Sequence, residues 1–187
     1  MRYQVPYSKP IAEAIKKFLE ENGLRAMFYE EEATFKFEYS VKGSHLSLIQ
    51  YHIYVKLDCF VVYGFSPFAV VRSSEQVGNL RKFISYVNQG MYRGAFETDD
   101  KILVFRTFTD CAGGMIPNDE ILKNAVYFPL GMFQKYDDDI TGILQNDVPV
   151  ETVLSRLKKG GGTRKFLAGR DFDPLKNSPE IYERFLK

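Results

Sequence analysis

Tryptophan is absent from this sequence, and histidine and cysteine occur only twice each. No apolar run approaches the ~18 residues that a membrane helix needs. Each scarcity removes a class of function. Two histidines and two cysteines cannot complete a four-ligand zinc site without help from carboxylates. Two cysteines do not make a disulfide framework. The formal charge of +1 over 187 residues projects no strong field toward nucleic acid or a membrane surface. The start, Met1 to Tyr7, has no apolar core behind a positive segment. A secretory signal is therefore not expected, and Cys59 and Cys111 are expected to be reduced, buried thiols of a cytoplasmic protein.

What the sequence has in quantity is rings: 16 Phe and 12 Tyr. It also has a hidden charge split. Residues 158–187 hold eight Lys/Arg and four Asp/Glu, net +4, whereas residues 1–157 are net −3. Gly160-Gly161-Gly162 reads as a hinge. The expected organisation is one α+β domain over residues 1–157 and a Gly-hinged basic extension over 158–187.

Periodicity gives the elements. Ser8 suits an N-cap, and Ile11, Ile15, Phe18 and Leu19 keep helical spacing up to Asn22-Gly23. The period then falls to two. Phe35, Phe37 and Tyr39 alternate with polar residues, as do Ile49, Tyr51, Ile53 and Val55. Phe60 to Phe65 reads as a third strand, with Met27 to Tyr29 a short piece at the edge. Ser73 to Gln89 is a second helix, with Ser73 and Gln76 placed for a capping box. Arg93–Glu97 and Ile102–Thr109 form a hairpin around Thr98-Asp99-Asp100-Lys101. Asn118 caps a third helix that runs to Ile143, kinked at Pro129. Pro149–Leu157 is a fourth, and Ser178 starts a last helix carrying Ile181, Phe185 and Leu186. The order predicts an antiparallel meander of about five strands covered by helices, α-β-β-β-α-β-β-α, with a helical C-terminal extension.

Residues able to do chemistry are dispersed. His45 and His52 lie seven apart, so a strand turns them to opposite faces. Asp137-Asp138-Asp139 falls inside the third helix, where neighbours point about 100° apart, and reads as a solvated face rather than a cation site. Glu30-Glu31-Glu32 reads as a charged turn or a sheet-edge device. Lys159 to Lys165 lacks the spacing and the preceding strand of a phosphate loop. No cofactor or metal is expected. Ring-bearing strands can stack bases, but here acids interleave with the rings and the body is net negative, so nucleic acid is not expected as a partner.

Ser85-Tyr86-Val87-Asn88 followed by Gly94-Ala95-Phe96-Glu97-Thr98-Asp99-Asp100-Lys101-Ile102 resembles the YbjN domain family. The matching positions are Asn88, Gly94, Phe96, Asp99 and Ile102, and the likeness spans roughly residues 8–146. The element order is similar to the type III secretion chaperone-like fold. The resemblance implies a small bacterial cytoplasmic protein without catalytic residues, a regulator or chaperone-like binder, with dimerisation. The expected function is therefore non-enzymatic protein binding, to a partner or to a second copy, through a sheet face or a groove at its edge. Phe65, Phe68 and Val70 are the candidate contact strip. A specific secretion chaperone for one client is an alternative. A further alternative is an enzyme using Asp110, Asp119 and Glu120 beside Gly113-Gly114.

Overall fold

The computed structural model describes residues 5–159. The extension beyond Lys159, with its expected last helix, lies outside the described residues. Ser8 caps the first helix, α1 (Lys9–Glu21), by accepting the Ile11 N–H. Pro10 lies in the first turn, where its missing N–H costs nothing. The face made by Ile11, Ile15, Phe18 and Leu19 is buried.

Six strands follow the alternation: β1 (Met27–Tyr29), β2 (Thr34–Ser40), β3 (Leu48–Val55), β4 (Cys59–Val70), β5 (Ala95–Thr98) and β6 (Ile102–Asp110). They form one antiparallel sheet in the order β1-β2-β3-β4-β6-β5. The α+β class holds, with six strands instead of five, because Met27–Tyr29 makes a full ladder with Thr34–Lys36. β4 also outruns its expected end at Phe65. Its register shifts between Phe65 and Val70, and this irregularity accommodates Pro67, which has no N–H for a ladder. The Ser66 hydroxyl accepts the Phe68 N–H there.

The α2 helix (Ser74–Asn88) starts at Ser73, whose hydroxyl accepts the Gln76 N–H. The Gln76 side chain accepts from the Arg72 N–H and donates to the Leu144 carbonyl, tying α2 to the last turn of α4 (Asp137–Gln145). A fifth helix, α5 (Val150–Lys159), packs against α2 and α4.

The third expected helix is two. α3 (Asp119–Lys135) passes through Pro129, and the break falls at Tyr136, before α4. The corrected order among the described residues is α-β-β-β-β-α-β-β-α-α-α, with a single 3-10 turn at Ala112–Gly114. Pro129 does not end the helix because β-strands supply what it removes. A proline leaves the carbonyl four residues back without its N–H partner. That carbonyl belongs to Ala125, and the buried Thr107 hydroxyl of β6 donates to it at 3.1 Å. The ring side of the proline meets β4 at Gly64, where a Cβ would lie 2.8 Å from Pro129 Cβ. Glycine, threonine and proline together seat α3 on the sheet.

The core lies between one sheet face and the helices. At its centre Phe96 meets Phe105, Phe133 and Tyr136 edge-on, with centroids 4.8, 5.5 and 5.9 Å away. Edge-to-face pairs of this kind add about 0.5–1.5 kcal/mol each beyond burial.

Candidate functional site

Alternation that buries one sheet face leaves the other in solvent. Register assembles this open face row by row. Lys36, His52, Tyr63, Arg106 and Ala95 stand side by side across five strands. One row along are Tyr54, Val61 and Phe108, with Thr34 buried at the end of that row, and on the other side Glu38, Gln50, Phe65, Val104 and Glu97. The middle of the face is made of rings. Tyr54 meets Tyr63 edge-on at 5.6 Å, and His52 meets Phe65 at 5.1 Å. Between them and Val104 lies a depression of about 390 Å³. Phe108 is 57% exposed.

Most charges on this face are held by neighbours; Lys56, at the rim of the depression, forms no ion pair among the described residues. Arg106 Nε donates to Glu97 at 2.6 Å, Lys36 pairs with Glu32 at 2.7 Å, and the Gln50 amide donates to Glu38 at 2.7 Å. What remains is a polar-rimmed apolar surface with little net field. Burial pushes the His52 pKa down, with Lys36 adding to the effect, so the imidazole is neutral at pH 7.

The contact strip joins this face. Phe65 lies within it, and Val70 stands beside Ile102, which shares the face of Val104 and Arg106. Phe68 and Val70 are exposed, and the Phe68 carbonyl accepts from the Gln145 amide of α4.

The motif positions sit elsewhere and hold the fold together. The Asn88 side chain donates to the Phe96 carbonyl and accepts the Phe96 N–H, both at 2.9 Å, clamping the end of α2 to β5. A Cβ on Gly94 would lie 2.5 Å from the Arg106 carbonyl and 2.6 Å from the Phe105 ring, so only glycine fits. Phe96 is buried in the ring cluster. The Asp99 carboxylate accepts the Lys101 and Ile102 N–H groups, which closes the β5–β6 turn and holds its pKa below the usual range. The five positions that read as one motif, Ile102 included through its N–H, thus form one structural joint.

The alternative carboxylates are not assembled. Asp110 accepts the Ala112 N–H at 2.9 Å and shapes the turn after β6, while Asp119 and Glu120 sit exposed in the first turn of α3. None of the three lines the depression on the open sheet face. The thiols of Cys59 and Cys111 are pushed up by burial and by neighbouring acids.

The acidic triplet corrects the expectation of a solvated helix face. Because the helix breaks at Tyr136, the triplet opens α4 instead of lying mid-helix. Asp137 accepts the His45 and Leu46 N–H groups at 2.8 and 2.9 Å, fixing the β2–β3 loop. Asp139 is buried and bonded to Arg156 of α5. Asp138 stays exposed, 3.7 Å from the His45 ring. One ligand atom each from His45, Asp137 and Asp138 falls within 4.8 Å of the others, but Asp137 already spends both oxygens on the loop.

Comparison with known proteins places a name beside this architecture. The chain is similar to YbjN. The match is to the crystal structure of YbjN, "a putative transcription regulator from E. coli", with 13% identity and a TM-score of 0.41. It covers 81% of this chain and 97% of that one. No family model matches the sequence, and no curated protein does. Among the described residues no helix is long and apolar enough to cross a membrane.

Proposed function

We propose that this chain is a non-enzymatic protein-binding module, a regulator or chaperone-like protein that engages another protein or a second copy across the open face of its sheet. The observation that carries the reading is the ring-rich middle of that face, with Arg106 and Lys36 beside it already paired. Tyr and Phe give large contact area at low entropic cost, and interface centres are depleted of free charge. A nucleic-acid backbone would need a run of unpaired cations, whereas Arg106 and Lys36 are occupied and Lys56 beside the rings is a single charge. Phe65, Phe68 and Val70 extend the same surface along β4.

The test is recovery of partners from the native cell, by co-purification with mass spectrometry, together with the molar mass of the pure protein in solution. Phe108→Ser and Phe68→Ala should each weaken self-association or partner recovery while leaving the melting temperature unchanged. One client bound stoichiometrically through this face would point to the chaperone role; several folded partners would point to the regulator. Unaltered mass and partners in both variants would end the proposal.

A further inference from the structure

A second concavity lies away from the open face, between α1 and the inner side of β1 and β2. Its volume is about 950 Å³, at the upper end of the range for ligand sites. Leu19, Leu24, Ala12 and Phe35 form its floor, and Phe28 lines the sheet side. Phe28 meets Phe35 at a tilt, with centroids 4.5 Å apart, and meets Tyr7 edge-on at 5.4 Å, which makes that wall continuous. The groove is long. It is bounded by Lys9 at the start of α1 and by Arg25 just beyond its end, and the helix between them rises about 18 Å.

Its rim carries charges of both signs, but they are not equally available. Glu20 and Glu21, near the Arg25 end, each form an i,i+4 pair, with Lys16 and Lys17 respectively, at 3.8 Å. At the opposite end Glu30 accepts from the Tyr7 hydroxyl. Lys9, at the start of α1, forms no ion pair among the described residues, but its ammonium is a compact point charge and the Glu13 carboxylate lines the groove one helical turn on. Arg25 is exposed and has no carboxylate within ion-pair distance among the described residues. A guanidinium is the side chain best suited to hold a carboxylate by two parallel bonds.

We infer that this groove binds an elongated amphiphile, a straight hydrocarbon chain ending in a carboxylate. The chain lies along Leu19, Ala12 and Phe28, and the head group meets Arg25. The inference is independent of the open sheet face.

Dodecanoate, dodecanol and dodecyltrimethylammonium, each below its micelle-forming concentration, serve as probes in calorimetric titrations of the full chain. Dodecanoate should bind at one site per chain, and Arg25→Gln should weaken it about tenfold or more. Dodecyltrimethylammonium should bind the unaltered protein more weakly than dodecanoate by a similar factor. Ala12→Leu, which fills the floor, should abolish binding. Amide resonances of Leu19, Leu24 and Phe28 should shift on titration, and Ile116→Ser, at an exposed side chain outside both the groove and the open sheet face, should leave the affinity for dodecanoate unchanged. Absence of saturable dodecanoate binding, equal affinity for the cationic probe, an unaffected Arg25→Gln variant, or shifts confined to β3, β4 and β6 would each overturn the inference. The exposed Arg25 variant keeps the test valid even if Ala12→Leu fails to fold.

Discussion

The seating of Pro129 makes a demanding prediction, because it assigns one hydrogen bond a purpose that a second mutation can cancel. Thr107→Val keeps the shape of a buried side chain and removes its hydroxyl. The Ala125 carbonyl then loses the donor that replaced the missing Pro129 N–H. Leaving a buried acceptor unsatisfied costs about 1–3 kcal/mol. Thr107 is 3% exposed, so water does not readily take over. A loss of about 2 kcal/mol in a chain of this length lowers the melting temperature by about 4–8 °C.

In a Pro129→Ala background the same substitution should behave differently. Alanine brings an N–H that can bond the Ala125 carbonyl along the helix, so the Thr107 hydroxyl becomes redundant. The cost of Thr107→Val should then fall to about 0.5 kcal/mol or less, the net worth of a replaceable hydrogen bond. The coupling energy of the double-mutant cycle should be about 1.5 kcal/mol. Urea denaturation followed by far-ultraviolet circular dichroism measures all four corners. Equal costs of Thr107→Val in the two backgrounds would refute the assignment, and α3 would then owe its continuity at Pro129 to packing alone.

Three other substitutions have directions fixed by the structure. Gly94→Ala should destabilise by about 3 kcal/mol, since the new Cβ meets a backbone carbonyl and a buried ring rather than a flexible side chain; a fall in melting temperature under 2 °C would contradict the close approach. Asp139→Asn should leave stability at pH 7 within about 1 kcal/mol of the parent, despite removing an ion pair with Arg156, because burial raises the Asp139 pKa by more than Arg156 lowers it. A raised folded pKa contributes stability that is present below the unfolded value of 3.8 and lost as pH rises through the folded one, so the parent should gain on the variant as pH falls through that window. His52 has the opposite sign: its folded pKa is lowered, so its contribution is complete above the unfolded value of 6.5 and is lost as pH falls through the folded one. His52→Gln should flatten that acid limb in a denaturation series, and an unchanged profile would show the ring to be solvated.

Much of this architecture can be read from local pattern, and the failures share a cause. Ser8, Ser73 and Asn118 were legible as caps because capping is a contact over three residues. The strands were legible because pleating imposes a period of two on the burial of Phe35, Ile49 and Val62. The break at Tyr136 was not, since Pro129 carries the local signal for a kink and its compensation comes from Thr107 and Gly64, 22 and 65 positions earlier. The acidic triplet escapes a local reading for the same reason. Its spacing on a continuous helix forbids convergence, and only the break brings Asp137 to the β2–β3 loop and buries Asp139 against α5.

The same distinction separates fold from function in this chain. Asn88, Gly94, Phe96 and Asp99 form a recognisable string because one joint between α2, β5 and β6 requires them close together in sequence. The open face has no such string. His52, Tyr54, Tyr63, Phe65 and Phe108 come from three strands and are united only by register. In sequence each is simply the alternate residue of a half-buried strand, indistinguishable in kind from Lys36 or Gln50 beside it. A motif search in a protein of this class therefore finds the residues that close the sheet, and the surface that meets a partner emerges only when the strands are laid side by side.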